Sequence, residues 1–421
     1  MNKDLEIVIV GFGTKGDVHP LIAIAKELTS RDIVTYFIST NNYEDEIVAS
    51  GAIFFCASEV DEYSEKIRLK SRTIDPIDYE LIFNTCIIPT FYPTYCRIEE
   101  IHKSNKNLIV IRLGVNNGAH LACEKLNLPY FEVALTPVWF QSCCDPGWPL
   151  SQLPLPIRFL ISKYSGYMNS RRHPHLTRIN KERRKVGLPT ANSMQNLKIK
   201  KPELIFAMFP DWFGSPQADW PKNISVLNFP LQDKVDCKSR ESLDSFIAKN
   251  LAPLVFTLGS EMFNCEAFFK VAYKVCRILN MPGVFVNPLI NEFDLPYNQT
   301  ILKIEYLDFE YLFPKSSIVI HHGGIGTCAQ ALLAGKPQVV CPLQYDQPDN
   351  GWRISKLGLG GMITKDKITE DNLVAMIRKI LNSGPVHNNT STYSSLLQQT
   401  SNPISRLVDM VLEYEEAKSL V

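Results

Sequence analysis

The chain has 421 residues, of which 45% are hydrophobic, and its 44 basic residues are balanced by 44 acidic ones. This length exceeds the roughly 250–300 residues at which one core stops growing, so we expect two domains. The zero formal net charge excludes a broadly basic nucleic-acid-binding protein, and no run reaches the ~18 apolar residues of a membrane span. The sequence therefore predicts a protein that is soluble or held only at a membrane surface.

Cysteine usage indicates the redox compartment. The eleven cysteines are an odd number without the spacing of a disulfide framework, which is typical of reduced thiols. No apolar secretion signal follows Met1 to Asp4, so we expect a cytoplasmic protein. The adjacent Cys143 and Cys144 have no second Cys/His pair nearby and are interpreted as small apolar residues rather than metal ligands.

The first half of the chain predicts a doubly wound parallel sheet, because strand patterns alternate with helix patterns. A strand at Ile7–Val10 leads through a glycine loop into a helix near Pro20–Leu28. Residues 139–194 break this pattern with prolines, aromatic residues and basic residues, and we expect an irregular insert there that forms an acceptor-binding wall. The other elements predicted in this half are strands at Val34–Ser39, Leu108–Ile111, Tyr130–Val133 and Glu203–Met208 and a helix at Gly118–Leu126.

The loop from Gly11 to Gly16 matches the G-x-G-x-x-G dinucleotide fingerprint, which keeps an NAD- or FAD-dependent enzyme as the rival hypothesis. A lone match of this kind is weak. A dinucleotide site also needs an acid at the end of the second strand to hold the ribose, and that strand is followed by Thr40, Asn41 and Asn42. The sequence therefore disfavours the redox interpretation.

The second half predicts another α/β domain after the proline-rich residues 209–238. Its most informative stretch runs from Ile318 to Asn350 and contains two strand–loop–helix units. A glycine loop at residues 321–326 precedes a helix predicted from about Thr327 to Ala334, and a helix that begins this way attracts phosphate to its positive end. The other elements predicted are strands at Leu254–Leu258 and Gly283–Val286 and helices at Phe268–Leu279, Glu370–Leu381 and Pro403–Lys418.

The next loop, Leu343 to Asn350, follows a buried strand at the same edge of the sheet. It carries Asp346, Gln347 and Asp349, a carboxylate and amide set suited to sugar hydroxyls. Phosphate donors beside a group that binds hydroxyls predict a nucleotide-sugar pocket.

This stretch resembles the donor-binding signature of the UDP-glycosyltransferase type, which includes sterol, macrolide, glycopeptide and rhamnolipid glycosyltransferases. The matching features are His-His-Gly-Gly-x-Gly-Thr from His321, Ala-Gly-x-Pro-Gln from Ala334, and the Asp346-Gln347 pair. The resemblance implies the GT-B fold, two facing Rossmann-like domains with a cleft between them. The expected bounds are 1–233 for the acceptor domain, 234–395 for the donor domain, and 396–421 for a C-terminal helix that packs back on the first domain.

The resemblance also implies roles for donor-site residues. His322 and Thr327 would contact the leaving diphosphate, and Asp346 and Gln347 would hold sugar hydroxyls; alternatively His322 braces its loop and the pair merely begins a polar loop. His321 is expected to face the opposite side of the strand. The remaining predicted donor contacts are the N–H groups of Gly324, Ile325 and Gly326, the phosphate-side Ser260, Tyr306 stacked on the base, and Gln330 on the ribose.

One departure from the family lies beside Tyr306, where the usual Pro-Gln is replaced by Asp308-Phe309. This replacement leaves the choice between uridine and thymidine open.

The first-domain loop continues as Gly16-Asp17-Val18-His19-Pro20. In the resembled family the residue after this glycine is the proposed general base, which here is Asp17. His19 is the second candidate, because plant relatives have a histidine base. An acid just before a helix is also a common cap, and the two roles are compatible.

The implied reaction is an inverting transfer that needs no metal or other cofactor. Phe91, Trp139 and Phe140 are the candidate acceptor contacts, and their apolar surface favours a small hydrophobic acceptor. Basic residues at 171–173 and 181–185 are compatible with contact with an anionic membrane or with a solvated helix face. We expect a monomer or a weak dimer, and a non-catalytic helper protein is the third hypothesis.

Overall fold

The computed structural model of the chain describes residues 4–58, 83–114, 117–172, 175–193, 197, 200–231, 240–259, 265–296 and 298–419. The chain folds into two compact units. The first runs to Pro230 and takes in Ser401–Val421, and the second comprises Leu231–Thr400.

The first unit is built on a parallel sheet whose described strands have the order β3-β2-β1-β4-β5-β6-β7. The β-branched and aromatic residues of its central strands are buried on both faces, as parallel sheets require. Its strands are β1 Glu6–Val10, β2 Val34–Thr40, β3 Ile53–Ser58, β4 Leu108–Leu113, β5 Tyr130–Ala134, β6 Ile205–Ala207 and β7 Ile224–Val226.

The helices of this unit cover its sheet, and the C-terminal helix α14 belongs with them. Helix α14 packs against α1, where Arg31 hydrogen-bonds Asp409 and the Ser405 hydroxyl donates to Glu27 at 3.0 Å. The helices are α1 Lys15–Thr29, α2 Glu44–Ala49, α3 Phe91–Ser104, α4 Asn117–Leu126, α5 Leu155–Arg172, α6 Leu176–Lys185 and α14 Pro403–Ser419.

The second unit holds a parallel sheet of order β10-β9-β8-β11-β12-β13. Its strands are β8 Leu254–Thr257, β9 Gly283–Val286, β10 Ile301–Ile304, β11 Ile318–His321, β12 Gln338–Val340 and β13 Gly360–Met362. Its helices are α7 Arg240–Ile247, α8 Glu266–Leu279, α9 Phe309–Leu312, α10 Ile325–Leu333, α11 Gln347–Lys356, α12 Glu370–Leu381 and α13 Gly384–Gln398. The predicted fold class of two doubly wound α/β domains is confirmed.

The expectation of an irregular insert over residues 139–194 is wrong, because α5 and α6 occupy much of it. Pro154 and Pro156 lie at the start of α5, where a proline costs no internal helix hydrogen bond. The expected domain end at residue 395 falls inside α13, whose polar sequence has weak helix propensity. Helix α13 is held by packing on α10, where the Ser394 hydroxyl donates to the Leu333 carbonyl at 2.7 Å.

Candidate functional site

The amino end of α10 is an open backbone site. Strand β11 ends at His321, and Gly323 turns the chain with a φ of +93°. A Cβ on Gly323 would lie 2.6 Å from Val340 Cγ1, so only glycine fits there. The helix begins at Ile325, two residues before the predicted start, and its N-cap Gly324 has no side chain with which to cap it. The first N–H groups of the helix therefore remain available to an anion.

His321 holds this loop in place by hydrogen bonds. Its ring is fully buried, its Nδ1 accepts from the Gly323 N–H at 3.1 Å, and its Nε2 lies 2.9 Å from Gln338 Oε1. Since Nδ1 accepts a hydrogen bond, the proton of the neutral ring lies on Nε2, which donates to Gln338 Oε1. Burial lowers the pKa of His321 to about 4, so the ring stays neutral. The loop-bracing role considered for His322 thus belongs to His321.

His322 is packed between two glycines. Its Cε1 lies 2.9 Å from the position a Cβ would take on Gly259, and its Nε2 lies 2.6 Å from that position on Gly324. Burial lowers the pKa of His322 to about 3. Its buried Nδ1 has no hydrogen-bond partner among the described residues. A neutral imidazole with an unsatisfied buried nitrogen fits a ligand that completes its hydrogen bonding.

Helix α10 contributes two more candidate side chains. Thr327 is buried in the first turn, and Gln330 lies one turn later, partly exposed. The Oε1 atom of Gln330 is buried and, within the described part of the chain, accepts no hydrogen bond. Two buried polar atoms without described partners thus lie on the loop before α10, at His322, and in its second turn, at Gln330.

The second predicted loop is tied to the first by Asn350. Its fully buried Nδ2 donates to the Gly323 carbonyl at 2.9 Å and to Asp346 Oδ2 at 2.8 Å. This bridge holds Asp346, at the N-cap of α11, beside the turn that contains His322. Sequence reasoning gave Asn350 no role, although its place four residues after Asp346 in a helix puts the two side chains on one face.

Two residues of the second loop have structural contacts. Gln347 Oε1 accepts from the N–H groups of Leu343 and Gln344 at 2.9 and 3.0 Å, which leaves its amide nitrogen as the group that could reach a ligand. Asp349 was expected beside the phosphate site, but its carboxylate is buried and accepts from Arg353 Nε at 2.7 Å. Its charge is therefore used within α11.

The base-recognition segment follows β10. Tyr306 is 48% exposed and offers a ring face for stacking. Asp308, which departs from the family pattern, is the N-cap of α9, because its Oδ1 accepts from the Glu310 N–H at 2.9 Å. The predicted phosphate contact Ser260 lies outside the described residues.

Asp17 is in the first unit, at the third position of α1. The helix begins at Lys15, earlier than predicted, and its N-cap is Thr14 rather than Asp17. Asp17 Oδ2 accepts from the Thr14 N–H at 2.9 Å and from the Thr14 hydroxyl at 3.0 Å, and no described residue donates to Oδ1. Burial raises the pKa of the Asp17 carboxyl above its ordinary value, and the bonds from Thr14 oppose that rise. One oxygen caps the helix, and the other remains for a ligand.

His19, the second candidate base, is engaged locally. Its Nε2 lies 2.9 Å from Glu46 Oε2, and its ring packs edge-on against Tyr43. The Tyr43 hydroxyl donates to the Gly13 carbonyl at 3.0 Å and fixes the glycine loop. The Asp17 carboxylate already occupies the amino end of α1, which disfavours a dinucleotide phosphate there.

Trp139, a predicted acceptor contact, is held rigidly by buried charges. Its Nε1 donates to Glu132 Oε1 at 2.9 Å, and Glu132 Oε2 accepts from Arg112 at 2.6 Å. The indole lies so close to Gly114 that a Cβ there would be 1.6 Å from Trp139 Cζ2. The sequence analysis missed these supports, because residues on neighbouring strands carry no local signal.

The other two aromatic candidates differ from each other. Phe91 is fully buried in the core between α3 and the sheet, so it has no surface for an acceptor. Phe140 is partly exposed and stacks on Trp220 at a centroid distance of 4.0 Å. Trp139 and Phe140 are thus the predicted acceptor residues with accessible surface.

Two family profiles match separate parts of the chain. Residues 7–85 match the glycosyltransferase family 28 N-terminal domain, and residues 293–408 match the erythromycin biosynthesis protein CIII-like C-terminal domain. The second match contains the α10 site. The chain is therefore similar to glycosyltransferases.

The curated relatives of this chain include enzymes with assigned names. It is 27% identical to the O-mycaminosyltylonolide 6-deoxyallosyltransferase of Streptomyces fradiae over 48% of this chain and 47% of the relative. It is 22% identical to the NDP-glycosyltransferase YjiC of Bacillus subtilis over 90% of this chain and 89% of the relative. In the match to the Streptomyces enzyme, the chain spans about half of the relative's length.

Solved structures confirm the GT-B fold. The calicheamicin glycosyltransferase CalG4 is 16% identical, with a TM-score of 0.71 over 98% of both chains. The glycotransferase of kitacinnamycin is also 16% identical, with a TM-score of 0.73 over 97% of this chain and 98% of that one.

Proposed function

We propose that this chain transfers a hexose from a UDP- or dTDP-sugar to a hydroxyl group of a small hydrophobic acceptor. The transfer is inverting and needs no metal ion, and Asp17 is its general base. The Streptomyces relative, whose name gives O-mycaminosyltylonolide as its acceptor, supports this class of acceptor.

One observation carries the proposal. The uncapped start of α10 is preceded by His322 and followed one turn later by Gln330, and the buried His322 Nδ1 and Gln330 Oε1 have no partners among the described residues. Leaving such atoms unsatisfied costs about 1–3 kcal/mol each, so the site is suited to a ligand with several hydrogen-bonding groups. A diphosphate with an attached ribose has acceptors for the N–H groups and hydroxyls for Gln330.

The amino end of α10 stabilises the negative charge of the departing diphosphate. The helix dipole places partial positive charge where the diphosphate gains negative charge as the sugar leaves. His322 stays neutral at working pH because burial lowers its pKa to about 3, so it contributes a hydrogen bond rather than a charge. Backbone N–H groups can perform this role without a divalent cation.

Asp346 is the candidate contact for the sugar. Asn350 anchors one of its oxygens, Oδ2, and thereby fixes the carboxylate beside the turn that contains Gly323. A carboxylate is a strong acceptor for two neighbouring hydroxyls, such as those of the transferred hexose.

The chemical step is a single displacement. Asp17 Oδ1 accepts the proton of the acceptor hydroxyl while the oxygen of that hydroxyl forms a bond to the anomeric carbon. The bond from that carbon to the diphosphate oxygen breaks, and the nucleoside diphosphate carries away the electron pair. Because attack and departure occur on opposite faces, the anomeric configuration inverts.

The test is an assay of nucleoside diphosphate release from a panel of UDP- and dTDP-hexoses, with hydrophobic alcohols as acceptors. We expect release that depends on the acceptor and a product of inverted configuration, determined by NMR. Turnover without inversion would overturn the mechanism. Donor binding without turnover on any acceptor would favour the non-catalytic helper instead.

A further inference from the structure

Helix α5 exposes an apolar stripe to solvent. Ile157, Leu160, Ile161 and Tyr164 follow the i, i+3, i+4, i+7 spacing of one helix face and are 47%, 70%, 39% and 67% exposed. Leu155 and Phe159, which helical spacing places on the opposite side of α5, are also exposed. An amphipathic helix normally turns such a stripe towards a core.

No other described helix or strand packs extensively along α5. Helices of this length owe most of their stability in water to packing of their apolar face. The exposed stripe therefore indicates that another surface covers it. At 1.5 Å per residue, Ile157 to Tyr164 span roughly 10 Å along the helix axis, and Leu155 and Phe159 leave apolar surface exposed on the opposite side of the helix as well.

The charge of this segment identifies the kind of surface. The sequence from Pro146 to Lys181 contains no Asp or Glu, although the whole chain has equal numbers of acids and bases. The cations of this segment are Arg158, Lys163, Arg171, Arg172, Arg178 and Lys181.

We propose that α5 is a membrane-docking helix that lies in the interface of an anionic lipid bilayer. The apolar stripe enters the acyl boundary, and Arg158 and Lys163, which helical spacing places on either side of it, face the lipid phosphates. A second copy of this chain fits less well, because a symmetric contact would place the same cationic segment against itself. In the described part of the chain no helix is long and apolar enough to cross a membrane, so α5 lies on the surface.

The test is co-sedimentation of the full chain with vesicles of phosphatidylcholine alone or of phosphatidylcholine mixed with phosphatidylglycerol. We expect binding to the anionic vesicles that weakens as salt is raised, and little binding to the neutral ones. Leu160→Asp should weaken vesicle binding at least about ten-fold, since it removes an inserted side chain and adds a repelled charge. Lys163→Glu should weaken it about ten-fold or more.

The chain offers matched controls in the second unit. Leu251 is 80% exposed and Lys249 is exposed, so Leu251→Asp and Lys249→Glu make the same chemical changes away from α5. Both should bind vesicles within about two-fold of the wild type, a range that corresponds to the ~0.5 kcal/mol of ordinary surface substitutions. Circular dichroism of all four variants verifies that they are folded.

Three results would overturn the proposal: no binding to anionic vesicles at low salt, equal binding to neutral and anionic vesicles, or undiminished binding by Leu160→Asp. A wild-type dimer that Leu160→Asp converts to a monomer would assign the stripe to a second copy instead. The assay uses no sugar donor, so the inference does not rest on the proposed transferase activity. Asp17→Asn should bind vesicles like the wild type.

Discussion

Replacing Asp17 with asparagine separates its two roles. In the structure, Oδ2 caps α1 through the N–H and hydroxyl of Thr14, while Oδ1 has no described donor. An asparagine can keep its carbonyl oxygen on Thr14 and place its NH₂ group where Oδ1 was. The helix then stays capped, but the side chain cannot accept a proton.

The two roles predict effects of very different size. Loss of the negative charge near the start of α1 should lower the free energy of unfolding by about 0.3–1 kcal/mol. Loss of the base should lower kcat by about 10²–10⁴, with donor affinity nearly unchanged. Asp17→Ala should add the loss of the cap, about 1 kcal/mol, to the same fall in kcat.

The assay combines urea unfolding with steady-state turnover across pH. Because burial raises the pKa of Asp17 above its ordinary 3.8, the acid limb of wild-type kcat should lie above that value and disappear in Asp17→Asn. If Asp17→Asn keeps near-normal turnover while His19→Ala loses it, His19 is the base. If both variants keep their turnover, Asp17 is only a cap.

The other predictions concern the donor unit. In calorimetry, His322→Ala should weaken the binding of free UDP or dTDP about ten- to a hundred-fold. Asp346→Ala should weaken the binding of the nucleotide-sugar but not that of the free nucleotide. If both variants lost the same affinity for the free nucleotide, the separate roles of the two residues would be contradicted. EDTA should leave turnover intact, and activity abolished by EDTA and restored only by Mg²⁺ or Mn²⁺ would contradict the metal-free mechanism. Burial lowers the pKa of His321 to about 4, so the unfolded chain binds more protons than the folded chain between pH 4 and 6.5. From this group, the free energy of unfolding should be about 2 kcal/mol lower at pH 5 than at pH 7. NMR should show neither the His321 nor the His322 ring titrating near pH 6.5, and a midpoint there would refute the buried neutral state.

Strong local patterns predicted the sheets and the strand, turn and helix of the candidate donor site. The β-branched run before His321 and the glycines after it indicated a strand, a turn and a helix start, and the structure has all three. Gly335 has the left-handed φ of +64° expected after that helix, with the hydrogen bonds of a Schellman motif, since Lys336 N–H donates to the Ala331 carbonyl at 3.0 Å.

The errors arose where tertiary contacts decide the structure. Helix α13 has a sequence of poor helix formers and is stabilised by its contact with α10. Helix α5 has the apolar spacing of a helix face, but the prolines, aromatic residues and basic residues at positions 139–194 predicted an irregular insert there. The Asn350 bridge between two loops is also non-local, and sequence spacing could place its ends near each other without revealing the bond.

The most direct test of the central claim is a calorimetric titration of Gly326→Ala with UDP and dTDP. Gly326 lies in the first turn of α10, and a Cβ there would meet no atom within 4 Å, so the unliganded protein should tolerate the change. Gly384→Ala is the matched control, because it also lies in the first turn of a helix and its Cβ would meet nothing. If the diphosphate lies against the amino end of α10, Gly326→Ala weakens nucleotide binding about ten-fold or more while Gly384→Ala binds normally. Equal nucleotide affinity in both variants and the wild type, or no nucleotide binding by the wild type, would contradict the donor site.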